Sequence, residues 1–212
     1  MNYLAHCLIG EQSADGTVLS RALVAGSFLG DFVKGRVPGE MPDALALGVR
    51  LHRRVDAYSN QHPDIRRSCD RFPPELRRVA PILVDILCDH LLSRCWEEFH
   101  PQHLSRFTER VYRDVDEHDR WLPVHGRTFL DYARERDLLG SYADWEVTAG
   151  AMRSIARRLR KPELMSGIDA AVPPLLDDLE SDFRIYFPDI LLHAREWTAA
   201  ELAADRLRAP HG

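Results

Sequence analysis

The sequence predicts an all-α fold. Hydrophobic residues recur at helical spacing along nearly the whole chain, and no series of alternating apolar and polar residues marks out strands. Gly and Pro residues fall between the periodic segments, where they stop helices. The chain has 212 residues, 45% of them hydrophobic, enough for one sizeable core, and residues 1–212 are read as a single compact helical domain.

The first helix is expected over about Asn2–Ile9 and carries His6; the turn-rich Glu11–Gly16 follows it. The second spans about Val18–Phe32 and contains Gly26, Ser27 and Gly30. These small residues allow a neighbouring helix or a metal-bound group to approach closely. Asp31 lies at its end. Gly35–Pro42 is a loop, and Asp43 caps a third helix reaching Ser59, on which His52 and Asp56 lie four apart. A short helix is predicted over Asp64–Arg71 and a long central one over Glu75–Phe99. Further helices are predicted over His103–Glu117, Arg127–Arg136, Trp145–Leu159, Pro174–Tyr186 and Pro188–Leu207, with Pro123, Gly126, Gly140, Pro162 and Gly167 in the connections.

The central helix holds the stretch Asp85-Ile-Leu-Cys-Asp-His90. Asp85 and Asp89 share a face and His90 follows on the next. Ionisable groups among Ile82, Leu83, Val84, Ile86 and Leu87 need compensation, and a divalent metal supplies it. Two helices each present a ligand-type pair at i, i+4, His52 with Asp56 and Asp85 with Asp89, the latter extended by His90, and Asp31 from a third gives a mixed oxygen and nitrogen set. That set suits Mn²⁺, Fe²⁺, Mg²⁺ or Zn²⁺, the carboxylate share favouring manganese or magnesium. The plainer reading makes these pairs helix-stabilising salt bridges, Asp56 to Arg53 or Arg54 and Asp85 to Arg78. His6 alone reads as a satisfied core or surface histidine.

A net charge of −5 excludes a general nucleic-acid binder. Locally the balance differs. Between Arg50 and Arg78 eight arginines face Asp56, Asp64, Asp70 and Glu75, and Arg153, Arg157 and Lys161 share one face of a later helix. That face is either solvated or a docking surface for an acidic macromolecule. The four cysteines form no Cys-x-x-Cys pair, which fits a reducing cytoplasm, and no apolar run reaches membrane-spanning length. Nucleophile elbows and phosphate-cradling Gly-rich loops are absent from the sequence, which leaves metal-assisted hydrolysis as the chemistry.

Several short motifs, in order, resemble one family. They are Met-Asn-Tyr-Leu-Ala-His at 1–6, Gly-Asp-Phe-Val-Lys-Gly at 30–35, His-Arg-Arg-Val-Asp at 52–56, His-Pro at 62–63, Arg-Arg-Val-Ala-Pro-Ile at 77–82, Asp-x-x-x-Asp-His-x-Leu at 85–92 and Tyr-Phe-Pro at 186–188. Together they resemble the bacterial acyl carrier protein phosphodiesterases. The resemblance implies a helical fold related to the HD-domain phosphohydrolases and removal of 4′-phosphopantetheine from holo-acyl carrier protein, with Mn²⁺ as activator. The adjacent pair here reads Asp89-His90 where the HD signature has His-Asp. On this reading Asp31, His52, Asp85, Asp89 and His90 hold the metal, and a metal-activated water attacks phosphorus. Arg53, Arg54 or Lys34 offsets phosphoryl charge, and His6 or His62 protonates the leaving serine oxygen. Arg153, Arg157 and Lys161 meet the acidic carrier. Two alternatives stay open: the same chemistry on a nucleotide or other small phosphodiester, or a non-catalytic helical binding module.

Overall fold

The computed structural model describes residues 1–208, with the side chains of Thr17, Glu163 and Arg208 left aside. It is all-α, with no strand among the described residues. The expected domain end at 209–212 lies outside them. The helices are α1 (Tyr3–Gln12), α2 (Thr17–Leu29), α3 (Asp43–Ser59), α4 (Pro63–Asp70), α5 (Ala80–Arg94), α6 (Trp96–Phe99), α7 (Leu104–Asp116), α8 (Val124–Glu135), α9 (Leu138–Ser141), α10 (Trp145–Arg158), α11 (Glu163–Ala171) and α12 (Leu176–Arg208). None is long and apolar enough to cross a membrane.

Several of these depart from the sequence expectation: the predicted central helix breaks at Cys95 into α5 and α6, and α9 falls in a predicted connection. The central helix starts at Ala80, five residues later than predicted, because Pro81 occupies its first turn, where a missing N–H costs nothing. Residues 75–79 form turns instead. Helix α11 occupies a stretch expected to be a connection: Pro162 precedes it, and Gly167 lies inside it, against Leu76. Helix α12 runs unbroken through Pro188, whose position on the exposed side leaves the freed carbonyl open to water.

The first three helices pack backbone to backbone. A Cβ added at Gly26 would lie 2.4 Å from the Leu45 carbonyl oxygen and 2.7 Å from the Cα of Gly48. One added at Gly10 would lie 2.9 Å from the Leu23 carbonyl oxygen. Only glycine permits such approach, so α1, α2 and α3 form one tight layer with Leu4, Leu8, Leu23, Phe28, Leu45 and Val49 fully buried within it. Gly26→Ala is expected to destabilise the fold by about 2–3 kcal/mol through overpacking, measured by urea denaturation.

The carboxy-terminal helix closes the other side. Buried Asp182 accepts hydrogen bonds from Arg67 (2.9 Å), Ser68 (3.0 Å) and Arg71 (2.7 Å), which ties α4 to α12. Phe183 and Phe187 pack on Phe99 in edge-to-face contacts.

Candidate metal centre

At the centre of the α1–α3 layer two imidazoles share one carboxylate. His6 Nε2 lies 3.0 Å from Asp56 Oδ1, and His52 Nε2 lies 3.2 Å from Asp56 Oδ2. The two rings stack at 3.9 Å. Ligand atoms from His6, His52 and Asp56 all lie within 4.8 Å of one another, the one such group among the described residues. Asp31 Oδ1 stands 3.9 Å from His52 Nε2. Asp85 joins from α5: its Oδ1 accepts from the Met1 ammonium at 2.9 Å, and that ammonium lies 3.6 Å from Asp56 Oδ1.

The local sequence explains this convergence. The i, i+4 spacing on α3 points His52 and Asp56 the same way. Gly30 clears the space opposite, since a Cβ there would fall 2.2 Å from His52 Cγ. The imidazoles are buried, whereas the Asp31, Asp56 and Asp85 side chains are 36%, 40% and 46% exposed. The centre therefore has a dry floor and a carboxylate rim open to solvent.

Electrostatics follow from that arrangement. Burial and neighbouring His52 push the His6 imidazole down to about 3, despite Asp56, so the ring is neutral at physiological pH. Burial alone would raise the Asp56 carboxyl, but hydrogen bonds from His52 and His6 override it and hold it far below the usual range. Burial raises the Asp31 carboxyl, and Asp56 adds to the rise. Burial would lower the Met1 amine, yet Asp85 and Asp56 outweigh it and lift the group to about 10.

These residues fit a divalent cation. Two imidazoles and a carboxylate are the donor set of manganese, iron or zinc sites. His52 Nε2 faces Asp56 here, and its Nδ1 is buried without a partner, so with a cation on Nε2 the ring proton can sit on Nδ1. Asp31, Asp56 and Asp85 bring three carboxyl groups around one ammonium, an excess of acidic groups that a cation would compensate.

Of the five expected ligands, His52 lies in the close group with His6 and Asp56, Asp31 stands beside it, and Asp85 is linked to it through the Met1 ammonium. Asp89 and His90 face other duties. Both oxygens of fully buried Asp89 accept backbone N–H bonds, from Leu4 and Ala5 at 2.9 Å, and so cap α1 from 84–85 residues away. His90 Nδ1 meets the Tyr142 carbonyl at 2.8 Å, and its ring stands edge-on to Trp145. Burial pushes the Asp89 carboxyl up to about 7, against the two amide bonds that lower it. The native state thus holds this proton more tightly than the unfolded chain. The associated stability is full below about pH 4 and is lost as pH rises towards 7. Asp89→Asn is expected to flatten that dependence, checked by urea denaturation from pH 4 to pH 8.

The remaining expected residues are spread around this centre. Arg53 donates to the Val33 carbonyl at 2.6 Å, two residues beyond Asp31, while Arg54 turns away to His193 on α12. Lys34 is exposed, three residues beyond Asp31. His62 Nδ1 accepts from the Asp64 amide and Nε2 lies 3.0 Å from Asp189, so this ring caps α4. Arg153 bonds Asp169 at 2.9 Å, whereas Arg157 and Lys161 are exposed.

A family model described as acyl carrier protein phosphodiesterase matches residues 1–190. Among curated proteins, the acyl carrier protein phosphodiesterase of Serratia proteamaculans (strain 568) is 29% identical over 197 residues, covering 92% of this chain and 98% of its own. That of Yersinia pestis is 29% identical over 196 residues, with 92% and 98% covered. That of Escherichia coli O6:H1 is 28% identical over 198 residues, with 92% and 97% covered. No solved structure matches the chain. A match of this extent, over a chain whose first 56 residues supply two histidines and two of the three carboxylates of one centre, shows that the chain belongs to the acyl carrier protein phosphodiesterase family.

Proposed function

We propose that the protein hydrolyses the phosphodiester of holo-acyl carrier protein, releasing 4′-phosphopantetheine and the apo-carrier. The observation that carries this reading is the meeting of His6, His52 and Asp56 in a chain of this family. In the reaction the oxygen of water bonds to phosphorus, the bond from phosphorus to the carrier serine oxygen breaks, and that oxygen takes up the proton water gives up. His6, His52 and Asp56, with Asp31 and Asp85 at the rim, would hold a divalent cation of the manganese type. Such a cation supplies Lewis acidity, which favours ionised water and polarises a phosphoryl oxygen.

The chain's own groups do the rest. The buried imidazole floor excludes water from one side and fixes His6 and His52 against Asp56. Arg53, anchored through one nitrogen to Val33, keeps its remaining N–H groups for phosphoryl oxygens, and Lys34 adds positive charge beside Asp31. Neither histidine suits proton delivery: His6 is held neutral, and His62 faces Asp189. An open carboxylate rim suits a phosphodiester carried on the flexible arm of another protein better than a small substrate that needs enclosure. Four free cysteines and a carrier-protein substrate fit a cytoplasmic setting.

Incubation of holo-carrier with the protein and Mn²⁺, followed by intact mass measurement, tests the reading. Loss of the whole 4′-phosphopantetheine mass is expected; an unchanged holo-carrier mass would overturn it. Charge reversal of exposed Arg157 and Lys161 to Glu is expected to raise the carrier KM about tenfold at low salt with metal content unchanged. An unchanged KM would return that face to solvent.

A further inference from the structure

Beside the centre, aromatic rings from three helices form one continuous surface. Tyr3 stands one helical turn before His6, Phe32 follows Asp31 directly, and Phe129 comes from α8. Ring centroids lie 4.8 Å apart for Tyr3 and Phe129, 5.3 Å for Tyr3 and Phe28, 5.7 Å for Phe32 and Phe129, and 5.9 Å for Phe32 and His125. Gly126 lets α8 sit flush on this surface, because a Cβ there would lie 3.0 Å from the Phe32 ring.

The surface opens outward in steps. Phe28 is wholly buried, Tyr3, Phe32 and Phe129 are half-buried, and His125 is exposed. Next to it Val124 is 72% exposed. A core cluster would close over its rings, whereas Tyr3, Phe32 and Phe129 all stay partly open to solvent here, and the Tyr3 phenol, pushed up by burial and then by Asp31, lies within reach of the Asp31 charge. Charged groups also lie near the centre: Arg53, Lys34 and Asp85. The partly open rings of Phe32 and Phe129 thus form an apolar stretch that begins one residue from Asp31.

We propose that this aromatic surface is the seat of the 4′-phosphopantetheine arm itself, an inference that rests on reading the centre as the phosphodiester site. The arm's chemistry selects this path. Its phosphate is followed by a methylene and then by a quaternary carbon bearing two methyl groups, so its most apolar point lies a few covalent bonds from phosphorus. With phosphorus at the Asp31 rim, that carbon meets the ring that follows Asp31 in the chain. Phe32 and Phe129 then bury the methyl groups, and the arm's amides run outward past His125, where solvent completes their hydrogen bonds. Specificity for the arm would come from these rings, and attraction of the acidic carrier from charges elsewhere.

The test uses free 4′-phosphopantetheine and inorganic phosphate as separate probes, titrated in the presence of Mn²⁺ into the wild type, Phe129→Ala, Phe129→Leu and His125→Ala. Phe129→Ala is expected to weaken the free arm about tenfold while leaving phosphate unchanged. Phe129→Leu restores most of the loss, and the KM for holo-carrier rises in parallel with the free-arm constant. His125 is exposed, so His125→Ala, expected to weaken the free arm and leave phosphate unchanged, keeps the test decisive if Phe129→Ala misfolds. Unchanged affinity for the free arm would overturn the seat, as would equal losses for arm and phosphate. A raised carrier KM with unchanged free-arm binding would also overturn it, assigning the rings to the carrier's protein surface. A wild type that binds the arm with this pattern but leaves holo-carrier intact keeps the seat and removes the reaction. One that cleaves holo-carrier with Phe129→Ala indistinguishable keeps the reaction and removes the seat.

Discussion

Asp56→Asn is expected to abolish turnover, lowering it by about a thousandfold or more, equivalent to ~4 kcal/mol of transition-state stabilisation. Asp56 is the carboxylate that both imidazoles share, and it also faces the Met1 ammonium. An amide of the same shape offers one oxygen and no charge, so His6 and His52 lose their common acceptor and any cation loses its central anion. The variant should keep its helical circular dichroism, because Asp56 is 40% exposed and carries no packing. Mn²⁺ uptake, followed by elemental analysis, should fall with activity. Turnover close to wild type would remove Asp56 from the reaction.

The second large effect is expected from a methyl group. In Gly30→Ala the new Cβ would fall 2.2 Å from Cγ and 2.5 Å from Cδ2 of His52, and neither α2 nor α3 can retreat while Gly26 and Gly48 hold their backbones in contact. The imidazole must swing instead. Displacement of a reacting or ligating group by about 1 Å costs on the order of a hundredfold in rate, so kcat should fall by that factor. Gly39→Ala is the matched control, since a Cβ there meets nothing within 4 Å. Steady-state kinetics on both variants checks the prediction. Equal rates for the two would show that the His52 ring position is not needed for turnover.

Much of this centre can be read from the sequence, and the unread part has a physical pattern. Helical periodicity reveals which residues share a face, so the pairing of His52 with Asp56 and the small-residue run at Gly26, Ser27 and Gly30 are legible before any coordinates. Periodicity does not reveal which helix lies opposite. Asp56 therefore reads equally well as a partner of Arg53 or Arg54, and in the structure it faces α1 and His6. Asp89 is conspicuous among apolar neighbours, but capping a helix from across the fold leaves no local signature, in contrast to a Ser or Asp placed just ahead of the helix it caps. The helix ends show the same division. Pro81 fixes the start of α5 through chemistry written in the sequence, whereas Pro188 is tolerated inside α12 because of where its exposed side happens to point.

The glycine contacts that join α1, α2 and α3 also bear on the order in which the protein folds. His6, Asp31, His52 and Asp56 lie between positions 6 and 56, and their helices meet through contacts close along the chain, the kind that form fastest. Docking of α5 then brings Asp85 to the rim and Asp89 onto the first turn of α1, so that its arrival locks what the three helices have assembled.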